Sequence, residues 1–331
     1  MEQDSPLAQQ QPLNSNFVMG LGTGSAVPKY LRWHGKLNRR YIRKADLEQI
    51  IKDFWKYKQA ADAKSGKRSG VQDTMYHFLK MRYGVQGAIA EHGYGIRDAC
   101  LQHLHDADAE VFYLILEGQL DEQVWHDQAE ILDTLREQLI SLASKGRKKP
   151  AAALKRKVII ENLPKWFPTK TESDMMYLKL TLSQDFPGND VNIAELFSED
   201  AEGNQKQFIE ALRDQFIFET KSYITEIQEA MYKASEDGRI QCNKATAVFN
   251  TIDPTKPAEE VDRIVQIGFD PTLSTHVSPL SVLELDVFLT NMKSTTLKRS
   301  GERPADSEAE DSGAPAEPAS TASPGGEAPP A

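Results

Sequence analysis

The amino-acid sequence predicts an all-α protein. Apolar residues recur at helical spacing along most of the chain, and long runs of strict apolar/polar alternation are scarce. Gly, Pro and Lys/Arg clusters separate the helical patterns. With 331 residues, 40% of them apolar and 27% charged, the chain is long enough to bury a sizeable core.

Residues 1–27 are rich in Gln, Ser, Asn and Gly and carry no periodic apolar face, so they read as a flexible segment. Leu47, Ile50, Ile51, Phe54 and Trp55 then repeat as i, i+3, i+4, i+7 and i+8, placing one apolar stripe on a helix near 44–59 and Trp55 in the core. Further helices fit 72–82, 95–105, 107–117 and 121–143, the last burying Val124, Trp125, Ile131, Leu132, Leu135 and Leu139. A Gly/Lys/Pro break at 144–153, inside a basic linker 144–157, divides the ordered part into two helical lobes, 28–143 and 158–295. VIIENLPKWFP opens the second lobe as a short helix or strand that Pro164 and Pro168 terminate. Helical patterns follow at 170–182, 192–197, 206–217, 219–233, 242–252, 257–268 and 279–292, the last starting from Ser278 as cap and Pro279 as first helical residue. Residues 296–331 form an acidic Pro/Ala-rich tail that buries too little to order itself and reads as disordered.

The segment ITEIQEAMYKASEDGRIQCNKATAVFNTI has the spacing of a helix–loop–helix calcium unit. On the twelve-residue loop template Gly238 falls at position six and Ile240 at position eight. Lys233 and Lys244 occupy positions one and twelve, where carboxylates would be needed, and two ammonium groups repel the ion. The template also fits loosely at 198–209, with Gly203 at position six, and at 270–281, with Val277 at position eight. These starts are 35 and 37 residues apart, and a similar Gly118–Leu120 pattern lies in the first lobe. The expectation is degenerate EF-hand-like packing used as scaffold, with a generic helical array as the alternative, since Gly between helices is also an ordinary C-cap.

Chemistry is sparse. CLQHLHDAD gathers Cys100, His103, His105 and Asp106, but the spacing is unlike a structural zinc site and no second ligand pair follows, so the expectation is a half-buried helix without metal. GLGTGS resembles a dinucleotide fingerprint only in its glycines, because no strand precedes it and no helix opens at Gly24, so a flexible linker is expected. No phosphate-loop, nucleophile-elbow or zinc-protease motif occurs. No catalytic residue, cofactor or metal ligand is therefore assigned, and the chain reads as a non-enzyme. Two cysteines give no disulfide framework, and neither a signal peptide nor a span-length apolar run is visible, so an intracellular, soluble chain is expected.

Charge is unevenly placed. The formal net charge is −10, and residues 301–331 alone contribute −6 through seven acids and one arginine. Against this, residues 28–60 hold ten Lys/Arg to three acids, and 145–157 hold seven with none. Lys29, Arg32, Trp33, Lys36, Arg39, Arg40, Arg43 and Lys44 in the first stretch, and Arg147, Lys148 and Lys149 in the second, are the candidate interaction residues. Such surfaces can neutralise acidic protein tails such as those of tubulin, anionic lipid or nucleic-acid phosphate, and they can equally be plain solvated surface.

VPKYLRWHGKLNRRYIRKADLEQIIKDFWKYK, followed by LILEGQLDEQVWHDQ, resembles the region after the coiled coil in the translin-associated factor X-interacting protein family and related ciliary and testis proteins. Leu31, Arg32, Gly35, Lys36, Lys52, Asp53 and Trp55 match its first signature, and Gly118, Asp121 and His126 the second. The resemblance covers about residues 27–290. It implies a non-catalytic scaffold or adaptor of the cilium or sperm flagellum, docked on axonemal or other microtubule-associated proteins. A calcium-responsive module and a nucleic-acid-associated factor of the translin complex are the alternatives. The chain departs from the family in lacking its long coiled coil and in its acidic tail.

Overall fold

A computed structural model of the chain describes residues 16–145, 151–200, 203–274, 276–293, 295 and 297–300. Among them the fold is all-helical, with twelve α-helices and three small antiparallel sheets. The first helix, α1 (Lys44–Ser65), follows the predicted stripe and runs six residues beyond it, stopping where Gly66 takes a left-handed φ of 66°. Next come α2 (Val71–Tyr83), α3 (Gln86–Gln102), α4 (Ala107–Leu116) and α5 (Gln123–Ser144). Asp106 caps α4 by accepting hydrogen bonds from the Asp108 and Ala109 amides.

Helix α3 starts nine residues before its predicted beginning because three glycines mask its periodicity. The close approach of residues 30–40 explains two of them. A Cβ on Gly93 would lie 2.7 Å from the Tyr30 carbonyl oxygen, and one on Gly95 would lie 3.1 Å from that of Arg40. The glycine face is thus the bed on which the basic segment lies.

The second half contains α6 (Arg156–Trp166), α7 (Glu172–Asp185), the short α8 (Ile193–Leu196), α9 (Gln207–Ala234), α10 (Cys242–Ile252), α11 (Ala258–Phe269) and α12 (Leu285–Met292). Two helices predicted at 206–217 and 219–233 form one 28-residue helix, α9. Phe218 interrupts the apolar face only because it points outward, at 57% exposure. The helix predicted from 279 starts at Leu285, and Pro279–Ser281 is drawn instead against the start of α10. There the Ser281 and Pro279 carbonyls accept the otherwise unpaired Cys242 and Asn243 amides.

Strands β1 (Phe17–Met19) and β2 (Lys36–Asn38) pair with Val18 opposite Leu37. The N-terminal stretch read as flexible therefore contributes a strand and buries Val18 at 4% exposure. The glycine run prolongs this hairpin through bonds from Gly20 to Gly35 and between Gly22 and Trp33, and is not a linker. Strands β3 (Ala153–Lys155) and β4 (Asp190–Asn192) pair Leu154 with Val191, and β5 (Arg239–Gln241) and β6 (Val282–Glu284) pair Ile240 with Leu283. Two template positions are corrected. Ile240 pairs with Leu283, and Val277, at position eight of the 270–281 template, lies outside the strand, because an Asp270-centred turn after α11 lengthens the loop. Residues 198–200 and 203–206 belong to the α8–α9 connection, where Asp200 accepts from the Asn204 amide, 207–209 already lie in α9, and the strand that precedes α8 is β4.

Buried side chains sort into three clusters. One joins the basic segment, α1–α4 and the start of α5. A second joins the end of α5 with α6, α7, α8 and the start of α9, and a third joins the end of α9 with α10–α12. Helix α9 enters all three: Phe208, Ile209, Ala211 and Leu212 belong to one, Phe216 and Ile217 to the next, and Tyr223, Ile227 and Met231 to the last.

Candidate functional site

The basic segment is largely stitched into its own fold. Lys29 pairs with Asp73 at 2.8 Å, Arg40 with Glu91 at 3.3 Å and Arg43 with Asp46 at 2.8 Å, all with exposed or half-exposed partners. Arg39 pairs with Asp98 at 3.2 Å, both side chains at or below 10% exposure. Lys44 lies 2.9 Å from Asp106 and bonds the Asn204 side chain. Burial penalises the Lys44 ammonium, but the hydrogen bond and charge of Asp106 outweigh that and hold its pKa above the usual value. Arg32 donates to the Val27 and Ser25 carbonyls, Trp33 covers Gly87, and Lys36 extends over the exposed Phe17 ring at 5.8 Å. Arg147, Lys148 and Lys149 lie outside the described residues.

The signature residues of the resemblance are also mostly architectural. Leu31 is fully buried, Gly35 and Gly118 hold φ of 91° and 68°, and Trp55 stacks on Trp125 at 4.5 Å with His126 edge-on at 6.3 Å. One signature is thereby packed against the other. Of the CLQHLHDAD group, Cys100 is buried with its thiol pKa pushed up by desolvation, and Asp106 serves as helix cap and ion-pair partner. No set of three or more His, Cys, Asp or Glu is placed to hold a metal among the described residues. Nor does any helix there have the length and apolarity to cross a membrane.

An open groove of about 380 Å³ lies where α5, the α6–α7 turn and α9 meet, with Lys298 and Arg299 at one end. Its floor is Ile131, Leu212 and Phe216, and its walls carry Trp166, Phe167 and the exposed Phe218. Asp127, Glu130, Asp174 and Glu219 line it as well. Three cations line it too: Lys170, which donates to Glu219 at 2.8 Å, Arg299, which is bonded to Glu226 and to the Ile252 carbonyl, and Lys298. Thr171 caps α7 by accepting from the Asp174 amide and donates to the Asp174 carboxylate at 2.7 Å, fixing that acid at the rim. Aromatic walls beside Asp127, Glu130 and Asp174, which no cation pairs among the described residues, suit a peptide segment that pairs an apolar side chain with a basic one. The sequence reading missed this groove. Its local signals were the WFP triplet after α6 and the FIF triplet of α9, whose outer phenylalanine breaks the apolar stripe.

The chain is 25% identical over 301 residues to translin-associated factor X-interacting protein 1 of Mus musculus, across 88% of this chain and 41% of that protein. To the protein of the same name from Homo sapiens it is 26% identical over 259 residues, across 77% of this chain and 38% of that protein. It therefore spans about two fifths of the length of these curated relatives. No family model matches the chain, and no solved structure does.

Proposed function

We propose that this chain is a non-catalytic helical adaptor that docks a partner protein through the acidic, aromatic-walled groove on α9. The observation that carries the proposal is the groove itself, where apolar side chains face solvent beside three carboxylates, Asp127, Glu130 and Asp174, that no cation pairs among the described residues. The relatives, named for an interaction with translin-associated factor X, supply the first partner to test. Calorimetric titration of the full chain with purified translin-associated factor X is the direct assay. Saturable binding that Phe218→Asp weakens by about tenfold or more is expected, since losing one central aromatic anchor removes about 2 kcal/mol. No binding, or binding indifferent to Phe218→Asp, counts against that partner at this groove.

The setting we propose is the axoneme of the cilium or flagellum, on microtubule-associated complexes. A tagged chain in ciliated cells should colocalise with axonemal tubulin, and its uniform exclusion from the axoneme overturns this part. Packing in the second half is read as EF-hand-like: β3/β4 and β5/β6 each join two loops, and each strand runs directly into a helix. The unit is read as scaffold and not as calcium sensor, because in the best-matching loop the Lys244 ammonium lies 2.5 Å from the Glu236 carboxylate. A fixed cation at the closing position is the wrong charge for coordination.

A further inference from the structure

The chain leaves the described fold at the groove itself. Ser300 is the last described residue, and its amide donates to Asp253 Oδ2 at 2.7 Å. Just before it, Arg299 is fixed by the Glu226 carboxylate and the Ile252 carbonyl, and the Lys298 carbonyl accepts from the buried Lys256 ammonium at 2.6 Å. Lys298 and Arg299 both line the groove, so the segment after Ser300 starts beside it. Three further residues span about 10 Å when extended. Residues 301–305, Gly-Glu-Arg-Pro-Ala, are therefore the part of the tail best placed to enter the groove.

These five residues also complement its lining. Glu302 stands four positions after Lys298, a groove cation that no carboxylate pairs among the described residues. Arg303 is the one cation of residues 301–331, and Asp127, Glu130 and Asp174 are the groove acids that lack one among the described residues. Pro304 follows it, and proline-containing segments dock readily on aromatic-lined grooves such as this one, with Trp166, Phe167 and Phe218. A residue before proline is biased towards extended backbone, which lowers the entropy lost on docking. Beyond Ala305 the match ends, because Asp306, Glu308, Glu310 and Asp311 carry the same sign as the groove's unpaired acids. We propose that Glu302, Arg303 and Pro304 occupy the groove as an internal ligand, with the Arg303 guanidinium on its acids and the Pro304 ring on its aromatic walls. Given the reading of the groove as a docking surface, this occupancy makes the tail the competitor that a partner must displace. The contact need not be tight. A directly tethered segment has an effective concentration in the mM range, so an intrinsic Kd of about 1 mM keeps the groove about half occupied or more.

NMR relaxation of the isotope-labelled full chain tests this without any partner. The Glu302, Arg303 and Ala305 amides should show order parameters above about 0.6, and those from Glu308 onward should fall below it. Arg303→Glu lies outside the three buried clusters and should lower the order at 302–305 and shift the Ile131 methyl resonance on the groove floor. Glu130→Lys combined with Arg303→Glu should restore both, because it reverses the pair. Order at 302–305 that Arg303→Glu leaves unchanged, or that the double reversal does not restore, would overturn the proposal. In titrations with translin-associated factor X, Arg303→Glu should bind about two- to tenfold more tightly than the wild type, the gain from vacating a site one half to nine tenths filled. Equal affinity of the two chains would overturn the competition. Failure of both to bind would count against that partner alone, since the order of the tail is read in its absence.

Discussion

Gly268→Ala sets two effects of opposite sign against each other at the α11–α12 crossing. In a helix the substitution should stabilise by about 0.5–1 kcal/mol through reduced chain entropy, and by less here because Gly268 is one residue from the end of α11. Its new methyl would overlap the Phe288 ring, lying 2.7 Å from Cδ2 and 2.9 Å from Cζ, well inside the optimal carbon–carbon separation of about 3.5–4.0 Å. The ring has little room to retreat. Phe288 is fully buried, and Phe269 packs edge-on against it at a centroid distance of 5.2 Å. Overpacking of this kind costs about 1–3 kcal/mol, so the net expectation is destabilisation by about 1–2 kcal/mol. Urea unfolding followed by circular dichroism measures it, and Gly268→Ala/Phe288→Leu completes a double-mutant cycle. The cycle should return a favourable coupling of about 1 kcal/mol, because the smaller side chain makes space for the methyl. A single variant as stable as the wild type, or a cycle with no coupling, would refute the crossing geometry described for these helices.

Two further perturbations test the electrostatics at the α1–α9 junction and on α3. Burial, with the nearby Asp106 charge, raises the Glu48 pKa from 4.5 to about 7. A raised carboxyl pKa means that the folded state holds the proton longer than the unfolded chain does. Stability should therefore fall as pH rises from about 4.5 to 7, and Glu48→Gln should flatten that slope. Linkage alone would give about 3 kcal/mol for a shift of this size, and solvent screening brings the expected gain of Glu48→Gln at pH 8 to about 1 kcal/mol. Parallel pH–stability curves for the two proteins would refute it. Arg39→Gln strands Asp98 against α3 and should cost about 3–5 kcal/mol in thermal or urea unfolding, whereas Arg40→Gln should change stability little because its pair with Glu91 is half exposed. Equal effects at the two positions would mean that Arg39 is not buried in this pair.

Local signals carried much of the architecture. The stripe from Leu47 to Trp55, the left-handed glycines at 118 and 238 and the helical character of both halves follow from spacing and backbone sterics, which act over a few residues. What escaped the sequence depends on partners far along the chain. The charge of the 28–60 segment looks available when counted locally, yet Asp98, Glu91, Asp73 and Asp106 meet its cations from 44 to 62 positions further along the chain. Strand β6 was read as helix because Pro279 suits a helix start. Its extended form comes from pairing with β5, some 43 positions earlier, while the residues just before it are held by the α10 amides, and no local rule includes either partner. The groove draws its walls from α5, the α6–α7 turn and α9, and a smaller cavity of about 190 Å³ draws its own from α1, α4, α5 and α9, so neither leaves a contiguous motif.

The uninterrupted α9 fixes the groove and the smaller cavity in one frame. Its 28 residues span about 42 Å and thread all three clusters, so moving the helix as a body would disturb every core at once. Leu212 and Phe216, four residues apart, face the groove, while Arg213 is rotated by about 100° from Leu212 and faces the cavity. Groove and cavity are thus adjacent faces of one rod, fixed in register by Asp108, Gln128 and Gln205 around the Arg213 guanidinium. Close-packed interiors transmit displacement and do not absorb it. Splitting the helix at Phe218, as the apolar pattern suggested, would have severed that register, which is why the outward phenylalanine belongs to the surface of one continuous helix.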